Sequence, residues 1–235
     1  MRVCVGDLVA LAESAFDRGT AEKIAMACGA GSPQGLEGVG VDLAPIETCE
    51  VGRVFAKALD SRSVYTHNHA RSVARRSRAL AYHCEMGDEV ASRLYLAGAL
   101  HDIGKLRVPS MVLNKPGRLT DIERVQVQRH AMWTWDMVGS VAGLEDVRRW
   151  AGYHHERLDG SGYPFGLTAP DLDDPSRIVV CADVYSALTE LRSYRVTSTP
   201  EQALETMREQ AREGKLDERL VEDVAELVRT DKYEA

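Results

Sequence analysis

Apolar residues recur at helical spacing along most of this chain, and this pattern limits the folds open to it. One stripe consists of residues at i, i+3, i+4, i+7 and i+8: Val51, Val54, Phe55, Ala58 and Leu59. Comparable stripes predict helices over about 67–86, 88–103, 144–155 and 177–191. No run of alternating apolar and polar residues predicts a sheet, so the expected fold class is all-α.

Two further helices are marked by the residues at their starts. Thr120 and Glu123 have the spacing of a capping box, which predicts a helix that runs past His130. Pro200 stands ahead of an apolar stripe, where a first-turn proline belongs. A last helix is expected around 220–227, where apolar residues again recur at helical spacing.

The first part of the chain predicts a separate organisation. Residues 1–28 have an apolar periodicity that indicates one or two short helices, and residues 29–40 are rich in glycine, as linkers are. We therefore expect an N-terminal helical appendage with a glycine-rich linker over 1–45 and the main domain over 46–235. The role of the appendage stays open between a lid, a homodimerisation element and a contact with a signalling-protein partner.

Composition excludes several classes of protein. The 235 residues, 44% hydrophobic and 28% charged, suffice for a core and argue against disorder. A net charge of −7 disfavours binding to duplex nucleic acid. Neither a membrane-spanning run nor a signal-peptide pattern occurs, so we expect a cytoplasmic protein without membrane contact. The five cysteines lack C-x-x-C spacing and are expected to be reduced thiols.

Histidines and aspartates that a buried metal site would explain lie on the predicted helices or near their ends. Each is weak evidence alone, because a lone histidine or a chance His–Asp pair is common. A carboxylate in an apolar helix is costly unless it is paired or bound to a cation. Imidazoles and carboxylates on facing helices are ligands for a divalent transition metal. The candidates are His69, His101, Asp102, His130, His154, His155 and Asp183.

Two motifs make the pattern specific. The chain reads HDIGK at 101–105 and HHERLDGSGYP at 154–164. With these motifs it resembles the HD-GYP subgroup of the HD-domain phosphohydrolases, which are bacterial cyclic-dinucleotide phosphodiesterases. The resemblance runs from about 54 to 228 and includes PSMVLNKPGRLT at 109–120 and ADVYSALTELRSYR at 182–195.

The resemblance implies an HD-domain helical bundle with a GYP loop and a metal centre. Members with three ions use a glutamate where this chain has Tyr65, so a centre of two divalent ions is expected, with iron or manganese favoured over zinc. Which ion each of His154 and His155 contacts stays open. The implied ligands of the first ion are His69, His101, Asp102 and Asp183. Those of the second are His130, His154 and His155, with Asp102 bridging.

The resemblance also implies roles in binding and catalysis. A metal-bridging hydroxide would attack phosphorus while Asp102 holds the ions and Lys105 contacts a phosphate oxygen. Arg192 and Arg195 would bind the phosphate or guanine of the substrate; surface arginines are the alternative. The GYP loop would be a wall of the site or a docking surface, or only a tight turn. Its motif residues are Gly162, Tyr163 and Pro164.

The expected function is hydrolysis of cyclic di-GMP to pGpG, GMP or both in bacterial signal transduction. One alternative is a phosphodiesterase for another cyclic dinucleotide, such as cyclic GMP-AMP. The other is a signalling receptor that binds the dinucleotide with little turnover. Ser186 stands where the family commonly has an aspartate, which affects a contact behind the metal ligands. Glu156 and Asp159 are expected to form hydrogen bonds within the loop rather than to bind metal.

Overall fold

Helices form most of the structure. The computed structural model describes residues 1–61, 68–190 and 197–233. Within these ranges the α-helices are α1 (Val5–Ala15), α2 (Arg18–Ala27), α3 (Pro45–Asp60), α4 (His69–His83), α5 (Gly87–Leu100), α6 (Ser110–Leu113), α7 (Asp121–Gly139), α8 (Glu145–Gly152), α9 (Asp174–Thr189), α10 (Pro200–Arg212) and α11 (Glu218–Arg229).

Two short strands accompany the helices. They are β1 (Arg2–Cys4) and β2 (Gly40–Asp42), which pair antiparallel with Val3 opposite Val41. Each strand has three residues, which is too short for alternation to be visible in the sequence. The expectation of no sheet is wrong for this ribbon, but the all-α class is confirmed.

The centre of the core is the contact between α4 and α5. Gly98 on α5 permits the close approach, because a Cβ there would lie 2.8 Å from Cα of Ala74 on α4. Leu94 and Leu100 of α5 are fully buried, as is Phe55 of α3, which packs beside them. These helices thereby fix the beginning of α4 and the end of α5, where candidate ligands lie.

The N-terminal residues pack on the rest of the chain. Leu8 of α1 and Ile24 of α2 are fully buried in the same apolar cluster as Phe55. The Cys4 backbone N–H donates to the carbonyl of Ala142 at 3.0 Å, which joins β1 to the segment between α7 and α8. Residues 1–45 therefore share the core of the main helices.

Helix starts agree with the sequence better than helix ends. The capping box of α7 is present, with Glu123 N donating to Thr120 Oγ1 at 3.3 Å and Thr120 N donating to Glu123 Oε2 at 2.7 Å. In contrast, α5 ends at Leu100 rather than at 103, and the chain continues as a 3₁₀-helix over Ile103–Arg107. None of the described helices is both long enough and apolar enough to cross a bilayer.

Candidate metal centre

The seven candidate ligands lie at the ends and inner faces of five helices. His69 is the first residue of α4, His101 and Asp102 follow α5, and His130 lies on α7. His154 and His155 follow α8, and Asp183 lies on α9. The fold brings all of them together in the interior, and every one except His155 is buried.

One group of donors consists of two imidazoles and a carboxylate. The ligand atoms of His69, His101 and Asp183 all lie within 4.8 Å of one another. Asp183 Oδ1 is 3.2 Å from His69 Nε2 and 3.8 Å from His101 Nε2. This spacing suits three atoms that face a common cation.

A second group consists of three imidazoles. The ligand atoms of His130, His154 and His155 also lie within 4.8 Å of one another. The Nε2 atoms of His130 and His154 are 3.1 Å apart, and the rings of His154 and His155 have centroids 4.1 Å apart. Two neutral nitrogens that face each other this closely need a proton or a cation between them.

Asp102 lies between the two groups. Its Oδ2 is 3.3 Å from His101 Nε2 and 3.8 Å from His69 Nε2. Its Oδ1 is 3.3 Å from His130 Nε2 and 3.8 Å from His154 Nε2. Each oxygen thus faces a different group of donors, as a bridging carboxylate does.

Unsatisfied buried atoms test whether this centre fits a metal. His101 Nε2 and Asp102 Oδ1 are fully buried and have no hydrogen-bond partner among the described residues. A buried polar atom without a partner costs about 1–3 kcal/mol, and more for a charged group. A cation would satisfy both atoms at once. The residues present therefore fit divalent metal ions.

Backbone carbonyls orient three of the imidazoles. The Nδ1 atoms of His101, His130 and His154 lie 2.6–2.7 Å from the carbonyl oxygens of Gly98, Val127 and Ala151, three residues earlier in each case. A carbonyl only accepts hydrogen bonds, so Nδ1 carries the proton and the Nε2 lone pair points to the centre.

The electrostatics of the centre keep its carboxylates ionised. Burial alone would raise the pKa of Asp102, but the ammonium of Lys105 and the imidazole of His101 outweigh it and hold this pKa well below its usual range. The pKa of Asp183 is also held well below its usual range, since the hydrogen bond from His69 and nearby imidazoles outweigh burial.

The imidazoles divide into two kinds. Burial and the neighbouring rings hold the pKa of His154 well below its usual range, and desolvation of the half-buried His155 ring lowers its pKa to about 3. These two rings are neutral, the form that binds metal. At His69 burial is outweighed by hydrogen bonds to Asp183 and Glu190, which raise its pKa to about 9. That ring lies where the carboxylates favour positive charge.

Lys105 and His155 define the accessible side of the centre. Their side chains are 20% and 29% exposed, whereas Asp183 is 9% exposed. Lys105 Nζ lies 2.5 Å from Asp102 Oδ2. A pocket of about 170 Å³ is lined by Lys105, Asp102 and His69 together with apolar side chains such as Val108.

The GYP loop packs against this centre. Tyr163 N donates to the His155 carbonyl at 3.2 Å, and the two rings have centroids 4.8 Å apart. The peptide bond between Tyr163 and Pro164 is cis. Gly162 is required by close approach, because a Cβ there would lie 2.4 Å from Arg157 N. The loop therefore lies as a wall beside the candidate ligands.

Acidic side chains shape the loop from within, as the sequence predicts. Buried Glu156 accepts hydrogen bonds from the backbone N–H groups of Phe165 at 2.7 Å and Leu167 at 3.0 Å. Asp159 Oδ1 accepts from Ser161 N at 2.9 Å. The expectation of loop hydrogen bonds for both residues is confirmed.

Some predicted residues fall outside the described ranges, and some residues of the site were not predicted from the sequence. Arg192, Arg195 and Tyr65 lie outside the described residues, so their roles stay predictions. Glu190, which contacts His69, and Arg76, which contacts Glu190, were not predicted. Their spacing places each on the same helix face as a candidate ligand, because Glu190 follows Asp183 by two helical turns and Arg76 follows His69 likewise, but it does not show that the two faces meet.

Comparisons with known proteins agree with this geometry. The family model of the HD domain matches residues 53–220. The chain is 40% identical over 171 residues to the 3′3′-cGAMP-specific phosphodiesterase 1 of Vibrio cholerae, covering 73% of this chain and 40% of that protein. It is 39% identical over 155 residues to the cyclic di-GMP phosphodiesterase PA4108 of Pseudomonas aeruginosa, covering 64% and 37%. The chain thus spans only 34% to 40% of the length of these two relatives and of the 3′3′-cGAMP-specific phosphodiesterase 3 of V. cholerae.

Solved structures share the fold. Bd1817, an HDG"Y"P protein from Bdellovibrio bacteriovorus, aligns over 96% of this chain and 70% of its own with a TM-score of 0.63 at 17% identity. The cyclic GMP-AMP-specific phosphodiesterase V-cGAP3 of V. cholerae aligns over 84% and 46% with a TM-score of 0.52 at 26% identity. The family resemblance read from the motifs is confirmed.

Proposed function

The chain belongs to the HD domain family and carries its HD-GYP motifs, and from that premise we propose that it is a metal-dependent phosphodiesterase of cyclic dinucleotides. The observation that supports this most is the convergence of five imidazoles and two carboxylates from five helices on one buried centre. Binding to a partner protein alone would not require buried donors without hydrogen-bond partners.

The two donor groups support our proposal of a centre with two ions. His69, His101 and Asp183 would hold one ion and His130, His154 and His155 the other, with Asp102 shared between them. Two divalent ions supply Lewis acidity, which lowers the pKa of water and offsets negative charge on a phosphodiester. We propose iron or manganese from the family resemblance, and the mixed imidazole and carboxylate donors are compatible with either ion.

Lys105 supplies a mobile positive charge at the accessible side. Its ammonium holds Asp102 ionised and lies on the pocket beside the ligands. A lysine ammonium can rotate one of its three N–H groups to a phosphate oxygen while the others keep Asp102. It would thereby orient the scissile phosphodiester and stabilise the charge that grows on it.

Cyclic di-GMP is the substrate we propose, with pGpG formed by hydrolysis of one phosphodiester bond and GMP by hydrolysis of the second. A specific observation favours a second candidate, 3′3′-cyclic GMP-AMP. The relatives with these two specificities are 39% and 40% identical to the chain. Both substrates present the same phosphodiester to the metal centre and differ in one base. Arg192 and Arg195 remain our candidates for contacts with the phosphate or guanine.

The experiment uses protein loaded anaerobically with Mn²⁺ or Fe²⁺ and incubated with each cyclic dinucleotide, followed by chromatography of the products. Lys105→Ala should lower kcat about 10²–10³-fold, because it removes one stabilising charge. Lys115→Ala is the matched control. Its ammonium is also paired, 2.6 Å from Glu123, and 33% exposed, but it lies outside the centre.

Three results would contradict this function. Equal turnover in the Lys105→Ala variant and the unaltered protein would remove the role of that ammonium. Turnover that persists in the Asp102→Asn variant would show that hydrolysis does not need the metal centre. Tight binding of a cyclic dinucleotide without any product, at full metal occupancy, would make the protein a receptor instead.

A further inference from the structure

His69 differs from the other buried imidazoles in how it is held. His101, His130 and His154 each use a carbonyl three residues earlier, which the preceding part of the chain supplies. His69 is the first residue of α4, so no preceding turn of its own helix offers such a carbonyl. Its Nδ1 instead lies 2.8 Å from Oε2 of Glu190, at the end of α9.

Glu190 is in turn held by Arg76. The Arg76 guanidinium, 5% exposed, donates from Nη1 to Glu190 Oε1 at 3.3 Å and to Ser186 Oγ at 2.7 Å. Ser186 donates its own proton to the carbonyl of Ala182 at 2.7 Å. The guanidinium also lies over the ring of Tyr185, 5.0 Å from its centroid. Arg76 is thus fixed between α4 and α9.

The two carboxylates nearest to the His69 ring come from α9 and from the residue that follows it. Asp183 Oδ1 lies 3.2 Å from Nε2 of this ring, and Glu190 Oε2 lies on the Nδ1 side. A purely structural ion pair would need only the contact between Glu190 and Arg76. The second oxygen of Glu190 is used for the ring, which fixes both its orientation and its tautomer.

We propose that Glu190, held by Arg76, is a positioning residue that sets the metal affinity of the His69 group while leaving the His130 group unaffected. A carboxylate that accepts the Nδ1 proton keeps the Nε2 lone pair directed at the ion and makes the imidazole a stronger donor. Ser186, which stands where the family commonly has an aspartate, accepts a hydrogen bond from the Arg76 guanidinium and thereby anchors it. This inference rests on one part of the proposed function, namely that the centre binds two ions, and it does not require hydrolysis of a cyclic dinucleotide.

The test measures metal affinity in the full chain rather than turnover alone. Mn²⁺-loaded protein is titrated with a chelator, and bound metal per chain is followed by elemental analysis. In Glu190→Ala, the dissociation constant of one of the two ions should rise 10–100-fold, while the dissociation constant of the other ion stays unchanged. Glu190→Gln should give a smaller shift, since its amide oxygen can still accept the Nδ1 proton.

Asp217→Asn is the matched control. Asp217 accepts from Arg177 Nη1 at 2.8 Å, is 13% exposed and caps α11, so its loss also breaks a sheltered ion pair. It lies outside the centre, and both ions should keep their affinities in this variant. The proposal would be overturned if Glu190→Ala lowered the affinities for both ions equally, or if both affinities equalled those of the unaltered protein.

A second readout covers the case in which Glu190→Ala does not fold. Co²⁺-substituted Glu190→Gln should show a changed visible absorption from one of its two ions, because the His69 donor strength changes. A spectrum and affinities identical to those of the unaltered protein would overturn the positioning role. Unaltered protein that binds two ions but hydrolyses no cyclic dinucleotide would contradict the proposed function and leave this inference intact.

Discussion

Glu156 offers a sharp test of how the GYP loop is held. Its two oxygens accept the backbone N–H groups of Phe165 and Leu167, and the side chain is fully buried. In Glu156→Gln the amide oxygen keeps one of these hydrogen bonds, and the NH₂ group then faces the other N–H. A hydrogen bond to a charged group is worth about 1.5–3 kcal/mol, and a buried donor without a partner adds to the loss.

A loss of about 3 kcal/mol corresponds to about a hundredfold shift in the opening equilibrium of the loop. Amide hydrogen exchange measures this shift directly, and we expect Phe165 or Leu167 to exchange about a hundredfold faster in Glu156→Gln. Asp159→Asn is the control, because the Asp159 side chain is exposed and its hydrogen bonds among the described residues go to Ser161, two residues away. Unchanged exchange at both amides would refute the role of Glu156.

Three further predictions concern stability. Gly162→Ala places a Cβ 2.4 Å from Arg157 N and should cost about 1–3 kcal/mol in urea unfolding, whereas Gly31→Ala, with nothing within 4 Å, should cost nothing comparable. Chelation of the two bound ions should lower the thermal midpoint by about 15–30 °C, since tight ligands stabilise by about 4 kcal/mol each and about 1 kcal/mol shifts the midpoint of a domain of this size by about 2–4 °C. An unchanged midpoint would contradict a metal centre. Burial raises the pKa of Cys28 from 9.0 to about 11 and that of Cys181 to about 12. Above pH 9 the unfolded chain therefore loses thiol protons that the native state keeps, and the free energy of unfolding should fall by up to about 1.4 kcal/mol per pH unit for each thiol; the double alanine variant should flatten this decline.

The sequence predicted the elements whose signals are local. The capping box at Thr120 and Glu123 placed the start of α7 correctly, because its two hydrogen bonds involve neighbouring residues. The apolar stripe over 88–103 placed His101 and Asp102 near the end of α5, although that helix stops at Leu100. The three-residue strands escaped notice, since their pairing joins Val3 to Val41 across a long stretch of chain.

The candidate ligands could be named from motifs, but their surroundings could not. Glu190 reaches His69 only because α4 and α9 pack side by side, and nothing within either segment shows that contact. Arg76 looks like one of several basic residues on α4, yet it is buried against Ser186. Each oxygen of Asp102 faces a different donor group, and this arrangement likewise depends on how the helices pack in three dimensions.

Anomalous scattering from crystals of metal-loaded protein tests the metal centre most directly. Data collected at the absorption edge of manganese or iron should show two peaks per chain. One should lie within coordination distance of His69, His101 and Asp183, and the other beside His130 and His154, with Asp102 contacting both. Fully loaded crystals with a single peak, or with peaks away from these side chains, would contradict the binuclear centre.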